Sequence, residues 1–162
     1  MNRTKTLVLL FLLSMGVLLP NTLAYAQRNH EPVIIPCSPP AEFYDYSVMM
    51  PNGFMKVNWE IKFLWYYEGD EIGYAWQYVT GIQRTDGIAM LRGYGVFTST
   101  LPELPGTLTY TIGNNWDMST NEIWAFRMHI VGGTDSFEGI KGTGTDEAYP
   151  DFLLYLNFNP WE

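Results

Sequence analysis

The sequence is short of cysteine, histidine and charge: it has one Cys, two His, and only 16% Asp, Glu, Lys and Arg over 162 residues. A single cysteine excludes a disulfide framework within the chain. A zinc centre usually takes three or four His, Cys or acid ligands at defined spacing, and neither His30 nor His129 belongs to such a set. No metal and no cofactor is therefore expected. No Gly-x-Ser-x-Gly elbow is present, and His129 would be the only plausible base for a serine hydrolase. Basic residues are also scarce: nine Lys and Arg stand against 17 Asp and Glu, a formal charge of −8. Phosphate binding needs a basic surface, so nucleic acid is excluded as a partner. After residue 26 there is no helical periodicity ten residues long.

What is present begins with an export signal. Arg3 and Lys5 precede an uncharged run from Leu7 to Leu19, Pro20 breaks it, and Ala24-Tyr25-Ala26 sets small residues where a signal peptidase accepts them. The alternative is a retained anchor, but the run has 13 residues where a spanning helix needs about 20. Cys37 lies 18 residues beyond Leu19, too far for a lipoprotein signal. Cleavage after Ala26 leaves 136 residues carrying −10, enough for one well-buried core. The expected location is secreted or periplasmic, with membrane contact only if the signal stays uncleaved. Cys37 then becomes a lone thiol in an oxidising compartment, either paired with another chain or free.

The remainder reads as one domain of strands and turns. Residues 27–53 form an extended leader and a first strand. Pro32, Pro36, Pro39 and Pro40 deny the leader a ladder of its own, because proline lacks the N–H donor. Residues 54–162 form the body. Val57, Trp59, Ile61, Phe63, Trp65 and Tyr67 alternate with Lys56, Asn58, Glu60 and Lys62 in a long amphipathic strand. Glu68-Gly69-Asp70-Glu71 turns the chain, and Ile72, Tyr74, Trp76 and Tyr78 alternate in a second strand. Asp86-Gly87 marks the next turn. A third strand, Ile88 to Thr100, contains Gly93 and Gly95, which suggest a bend or a close approach of another group. Thr107 to Ile112 is a fourth strand, with a turn at Gly113-Asn114-Asn115. Glu122 to Val131 is a fifth, and further strands fall near 139–145 and 152–158. The expectation is an all-β fold, an antiparallel closed barrel of about eight strands, with a β-sandwich as the alternative.

The stretch Val131-Gly132-Gly133-Thr134-Asp135-Ser136-Phe137-Glu138-Gly139-Ile140-Lys141-Gly142-Thr143-Gly144-Thr145 resembles the strand–turn–strand signature of the allene oxide cyclase-like and dirigent-like barrels. Gly93-Tyr94-Gly95-Val96-Phe97-Thr98-Ser99-Thr100, followed by Gly106-Thr107-Leu108, is similar to a small bacterial family of that superfamily whose function is uncharacterised. Asp135 departs from the pattern, which usually has glycine there. The resemblance covers about a third of the chain and implies an eight-stranded barrel, often oligomeric; it implies much less about activity. The residues themselves suggest structural roles. Gly132 and Gly133 would turn the backbone where a Cβ would clash, Phe137 would plug the barrel end, and Gly142 and Gly144 would permit curvature. A phosphate loop is disfavoured because Gly142 follows Lys141 and the next segment reads as strand, not helix.

Candidate site residues fall into two groups. Trp59, Phe63, Trp65, Tyr74, Trp76 and Trp124 are candidate walls of a pocket for a small hydrophobic or aromatic molecule, since small barrels can hold one. Arg127 and His129 share a strand face; facing inward with Glu60, they would supply a cation and titratable groups for a cyclase or isomerase. The favoured placement puts them outside, with Trp124, Phe126, Met128 and Ile130 inside. Glu60 and Lys62 likewise read as a solvated face. A carbohydrate-binding module, with Trp116 and Trp161 exposed in loops, is a third reading. The expected function is therefore a non-enzymatic barrel that binds such a ligand or self-associates as a homo-oligomer, with the cyclase or isomerase as the alternative.

Overall fold

The computed structural model describes residues 32–120, 122–147 and 153–159. Residues 1–26, expected to be an export signal, and His30 and Trp161 lie outside them. The described residues form ten strands and no α-helix: β1 (Val33–Pro36), β2 (Glu42–Asp45), β3 (Val48–Met49), β4 (Met55–Tyr67), β5 (Asp70–Gln83), β6 (Ile88–Ser99), β7 (Thr107–Asp117), β8 (Glu122–Gly133), β9 (Lys141–Glu147) and β10 (Leu153–Asn159). The protein is all-β. Every pairing is antiparallel, in one strongly curled sheet ordered β1-β10-β9-β8-β7-β6-β5-β4-β2, with β3 also on β4.

Strand β4 follows its period. Val57, Trp59, Ile61 and Trp65 are buried, while Lys56 and Asn58 between them are exposed. Each such burial is worth about 1.5–3 kcal/mol, which is what holds one face of the strand inward.

In two strands the alternation changes phase. The β4–β5 register shifts between Trp65 and Tyr66, opposite Ile72 and Gly73. The extra residue lets Ile72 face inward and then puts Ala75 and Val79 inward, so Tyr74, Trp76 and Tyr78 point out. In β8, Trp124 pairs Asn115 and Arg127 pairs Gly113, leaving two residues opposite one. Ala125 takes up that irregularity with φ +56. Met128 and Ile130 stay buried as expected, but Trp124 moves to the outer face, 38% exposed. The expectation that Trp124 shares their face is thereby corrected.

Two further expectations change. The proline-rich leader does build a ladder: Val33 to Pro36 pair with Leu156 to Leu153. Pro36 ends that short strand, where its missing N–H costs little. Gly113-Asn114-Asn115 is not a turn but part of β7, which runs on to Asp117. The turn comes afterwards, where one Asp117 carboxylate oxygen accepts from the Ser119 N–H at 2.9 Å and the Ser119 hydroxyl at 2.6 Å. Those hydrogen bonds hold the Asp117 carboxyl below its ordinary value of 3.8.

The interior has two unlike ends. One is packed solid. Trp65 stacks on Phe97 at 4.5 Å and on Tyr110 at 6.0 Å between ring centres. Tyr110 is fully buried because its ring lies against Gly95, in space that a Cβ would occupy. The 3-10 turn Asp135–Phe137 caps this end and drives Phe137 edge-on into Phe97, at 6.0 Å. Asp135 adopts φ +52, the backbone conformation in which glycine is most at ease. Gly133 has no room for a Cβ, with the Phe137 carbonyl oxygen and Thr107 carbonyl oxygen in the way. Gly144 is closed off by Leu156 and Met128, and Gly142 is buried opposite Ile130. Gly132 is different: a Cβ there would meet open space, so no clash requires glycine at that position. Beyond the packed end a second buried cluster, including Trp59, Ile61, Val79 and Leu91, borders a hollow that reaches back to Trp65.

Candidate functional site

A cavity of about 480 Å³ occupies the hollow end. That lies within the range of small-molecule sites, about 300–1,000 Å³. Its walls are aromatic: Trp59 and Trp65 from β4, Trp116 from β7 and Phe126 from β8, with Phe63 beside them. Trp59 is 4% exposed and meets Trp116 edge-on, with ring centres 5.6 Å apart. Phe43, half exposed on β2, tilts over Trp59 at 5.7 Å and forms part of the rim.

Polar lining groups are few. Gln77 lies on the inward face of β5 because of the phase change at Gly73. Its Nε2 donates to the Tyr110 hydroxyl at 3.2 Å. Burial pushes the Tyr110 phenol far above its ordinary value of 10.0, so it stays protonated. Asn114 pairs across the sheet with buried Leu91 and so shares its inward face. Cys37 lines the cavity, and its thiol donates to the Ile35 carbonyl at 3.6 Å. The indole N–H groups of Trp59, Trp65 and Trp116 are shielded from solvent and, among the described residues, make no hydrogen bond of good geometry. A buried donor left unpaired costs about 1–3 kcal/mol.

Charge is kept to the edge. Among the described residues no charged side chain is buried. Asp45 lines the rim and is exposed. Hydrogen bonds from Ser47 hold its carboxyl below 3.8, and the Trp59 indole, which faces it without forming a hydrogen bond of good geometry, adds a smaller share.

The candidate site residues separate by face. Trp59, Phe63 and Trp65 come together in the cavity wall. Tyr74, Trp76 and Trp124 do not join them. Tyr74 and Trp76 sit on the outer face, where the Lys62 ammonium lies 5.1 Å and 5.6 Å from their ring centres. Lys62 is held there by the Glu42 carboxylate at 2.7 Å, and Tyr44 stacks on Trp76 at 6.3 Å. Arg127 and His129 are exposed on the outside of β8, opposite Gly113 and Thr111. Glu60 is half-buried on the outer face, paired with Tyr44 and Tyr78. These three groups therefore do not meet in a cavity, and the inward-facing catalytic set loses its basis. Trp116 is a cavity wall, not a loop platform.

The sequence reading missed Gln77, Asn114, Trp116 and Phe126 as lining residues. Only Phe126 had an inward assignment. Asn114 was hidden by its likeness to a turn residue, and Gln77 by the shift in phase.

No protein-family model matches the chain, and no curated protein sequence matches it. Among solved structures, the chain is similar to a pyocyanin demethylase, at 16% identity and a TM-score of 0.56. The match covers 78% of this chain and 98% of that one. Identity at that level speaks to architecture alone, so what the two chains share is an all-β fold of curled antiparallel sheet.

Proposed function

We propose that this protein is an exported, closed β-barrel that binds a small, flat, largely apolar molecule in its hollow end and performs no chemistry of its own. The observation that carries this reading is the cavity of about 480 Å³ walled by Trp59, Trp65, Trp116, Phe63 and Phe126. Aromatic walls offer area and ring contacts to a flat ligand, and a largely pre-formed space lowers the ordering cost of binding. Closure of the barrel is supported by the segment after β1. The Ser38 N–H donates to the Leu64 carbonyl at 2.9 Å, the Ala41 N–H donates to the Lys62 carbonyl at 2.8 Å, and Cys37 bridges to Trp65. The strand that pairs with β10 thus continues into pairing with β4. The resemblance to the allene oxide cyclase-like and dirigent-like barrels agrees with a closed architecture, and the first 26 residues support export. Self-association fits the apolar side chains exposed at Val48, Met49 and Tyr46.

A second reading, an enzyme acting on such a molecule, draws on the neighbour named as a demethylase and on Asp45, an ionised carboxylate at the rim. Titrating purified protein with naphthalene and with pyocyanin, followed by calorimetry, tests the first reading. Saturable binding that weakens in Trp59→Ala and Trp116→Ala supports it; no heat with either ligand rejects it. Product formation from a bound ligand, lost in Asp45→Asn, would replace it with the second. Export predicts that protein recovered outside the cytoplasm begins at Gln27.

A further inference from the structure

The cavity walls are apolar, but they are not indifferent to polarity. We propose that the natural ligand is an uncharged planar molecule bearing hydrogen-bond acceptors on its ring edge, a ring nitrogen or a carbonyl, and that Gln77 and Asn114 are the residues that read them. This rests on the binding reading above and goes further by naming the ligand class.

Two observations converge. First, no charged side chain is buried among the described residues, and the charged residues lining the cavity, Asp45 and Arg92, are both exposed. An ionic group carried deep inside would be desolvated without a counter-charge, which costs several kcal/mol per ion. The ligand body is therefore neutral.

Second, two amides on the wall keep N–H donors for a ligand, the second Nε2 hydrogen of Gln77 and the Nδ2 hydrogens of Asn114. Gln77 and Asn114 present amides on the inward faces of two strands. Gln77 is tied by its Nε2 to Tyr110, whose phenol burial keeps protonated. That bond orients the Gln77 amide before a ligand arrives, so little rotamer entropy remains to be lost on binding. Among the described residues no side-chain hydrogen bond ties Asn114 elsewhere, which leaves its amide N–H groups for a ligand acceptor.

The test uses two near-isosteric probes: quinoxaline, with two ring-nitrogen acceptors, and naphthalene, with none. Dissociation constants are measured by equilibrium dialysis for the full exported chain and for Gln77→Leu and Asn114→Leu. Losing a hydrogen bond of about 1.4 kcal/mol is a tenfold change. Quinoxaline should therefore weaken about tenfold in at least one variant, while naphthalene binds that variant within twofold of the parent or more tightly. Retained naphthalene binding also shows that the variant is folded. If both probes change by the same factor, or quinoxaline is unaffected in both variants, the acceptor reading is overturned while the binding reading stands. If 2-naphthoate binds more tightly than either neutral probe, the uncharged class is overturned. If neither naphthalene nor quinoxaline binds the parent, the binding reading fails and takes this inference with it.

Discussion

The packed end and the hollow end of this sheet are built from the same strands, yet they do different things. At the packed end, Trp65, Phe97, Tyr110 and Phe137 fill one another's space, and glycine at positions such as 95 and 133 makes room for them. Toward the other end, Trp59 and Trp116 meet edge-on but leave a cavity beside them. The difference teaches where this protein keeps its stability and where it leaves space unfilled. Close packing gains dispersion contacts on all sides, whereas a wall facing empty space forgoes them.

Substitutions should expose that contrast, most strongly at the packed end. Phe137→Ala removes a buried ring that fills the packed end and should cost about 3–5 kcal/mol, read as a lower urea midpoint. Gly95→Ala places a methyl group in the space of the Tyr110 ring and should cost about 1–3 kcal/mol by the same measurement. Trp116→Phe, at the hollow end, is expected to shift stability by less than about 1 kcal/mol, because it removes an unpaired indole N–H as well as ring area. A loss as large as that of Phe137→Ala would mean the two ends are not different in kind. Ala125→Gly should stabilise by about 0.5–1 kcal/mol, since glycine carries no penalty at φ +56.

The smallest effect is on pH. Glu42, Asp45 and Asp117 all have carboxyls held below their ordinary values of 4.5, 3.8 and 3.8, Glu42 chiefly by Lys62 and the other two by serines. A folded-state value below the unfolded one means the contribution is present above the unfolded value and is lost as pH falls through the folded one. Thermal melts should therefore drop in midpoint below about pH 4, and Asp117→Asn should flatten that drop.

Much of the fold was legible in the sequence because long period-two runs allow little else. Met55–Tyr67 was read to its ends, and the Asp-Gly turn at 86–87 fell where the chain reverses. The faces were legible only up to the bulges. A bulge moves every later side chain across the sheet, and it is set by pairing with a neighbouring strand rather than by the residues that carry it. For that reason Trp59, Phe63 and Trp65 were placed together, while Tyr74, Trp76 and Trp124 were grouped with them though they lie on the other side. Gln77 and Asn114 carried no local signal as lining residues. Their inward placement follows from the register of β5 against β4 and of β7 against β6.

By itself, then, the amino-acid sequence determined an all-β antiparallel domain, aromatic inside and sparing of charge, because alternation and turn chemistry are local properties. Only the tertiary structure decided which aromatics share a cavity, where Arg127 and His129 point, and which end stays open. Those depend on register and curl, which arise between strands and leave no mark on any one of them.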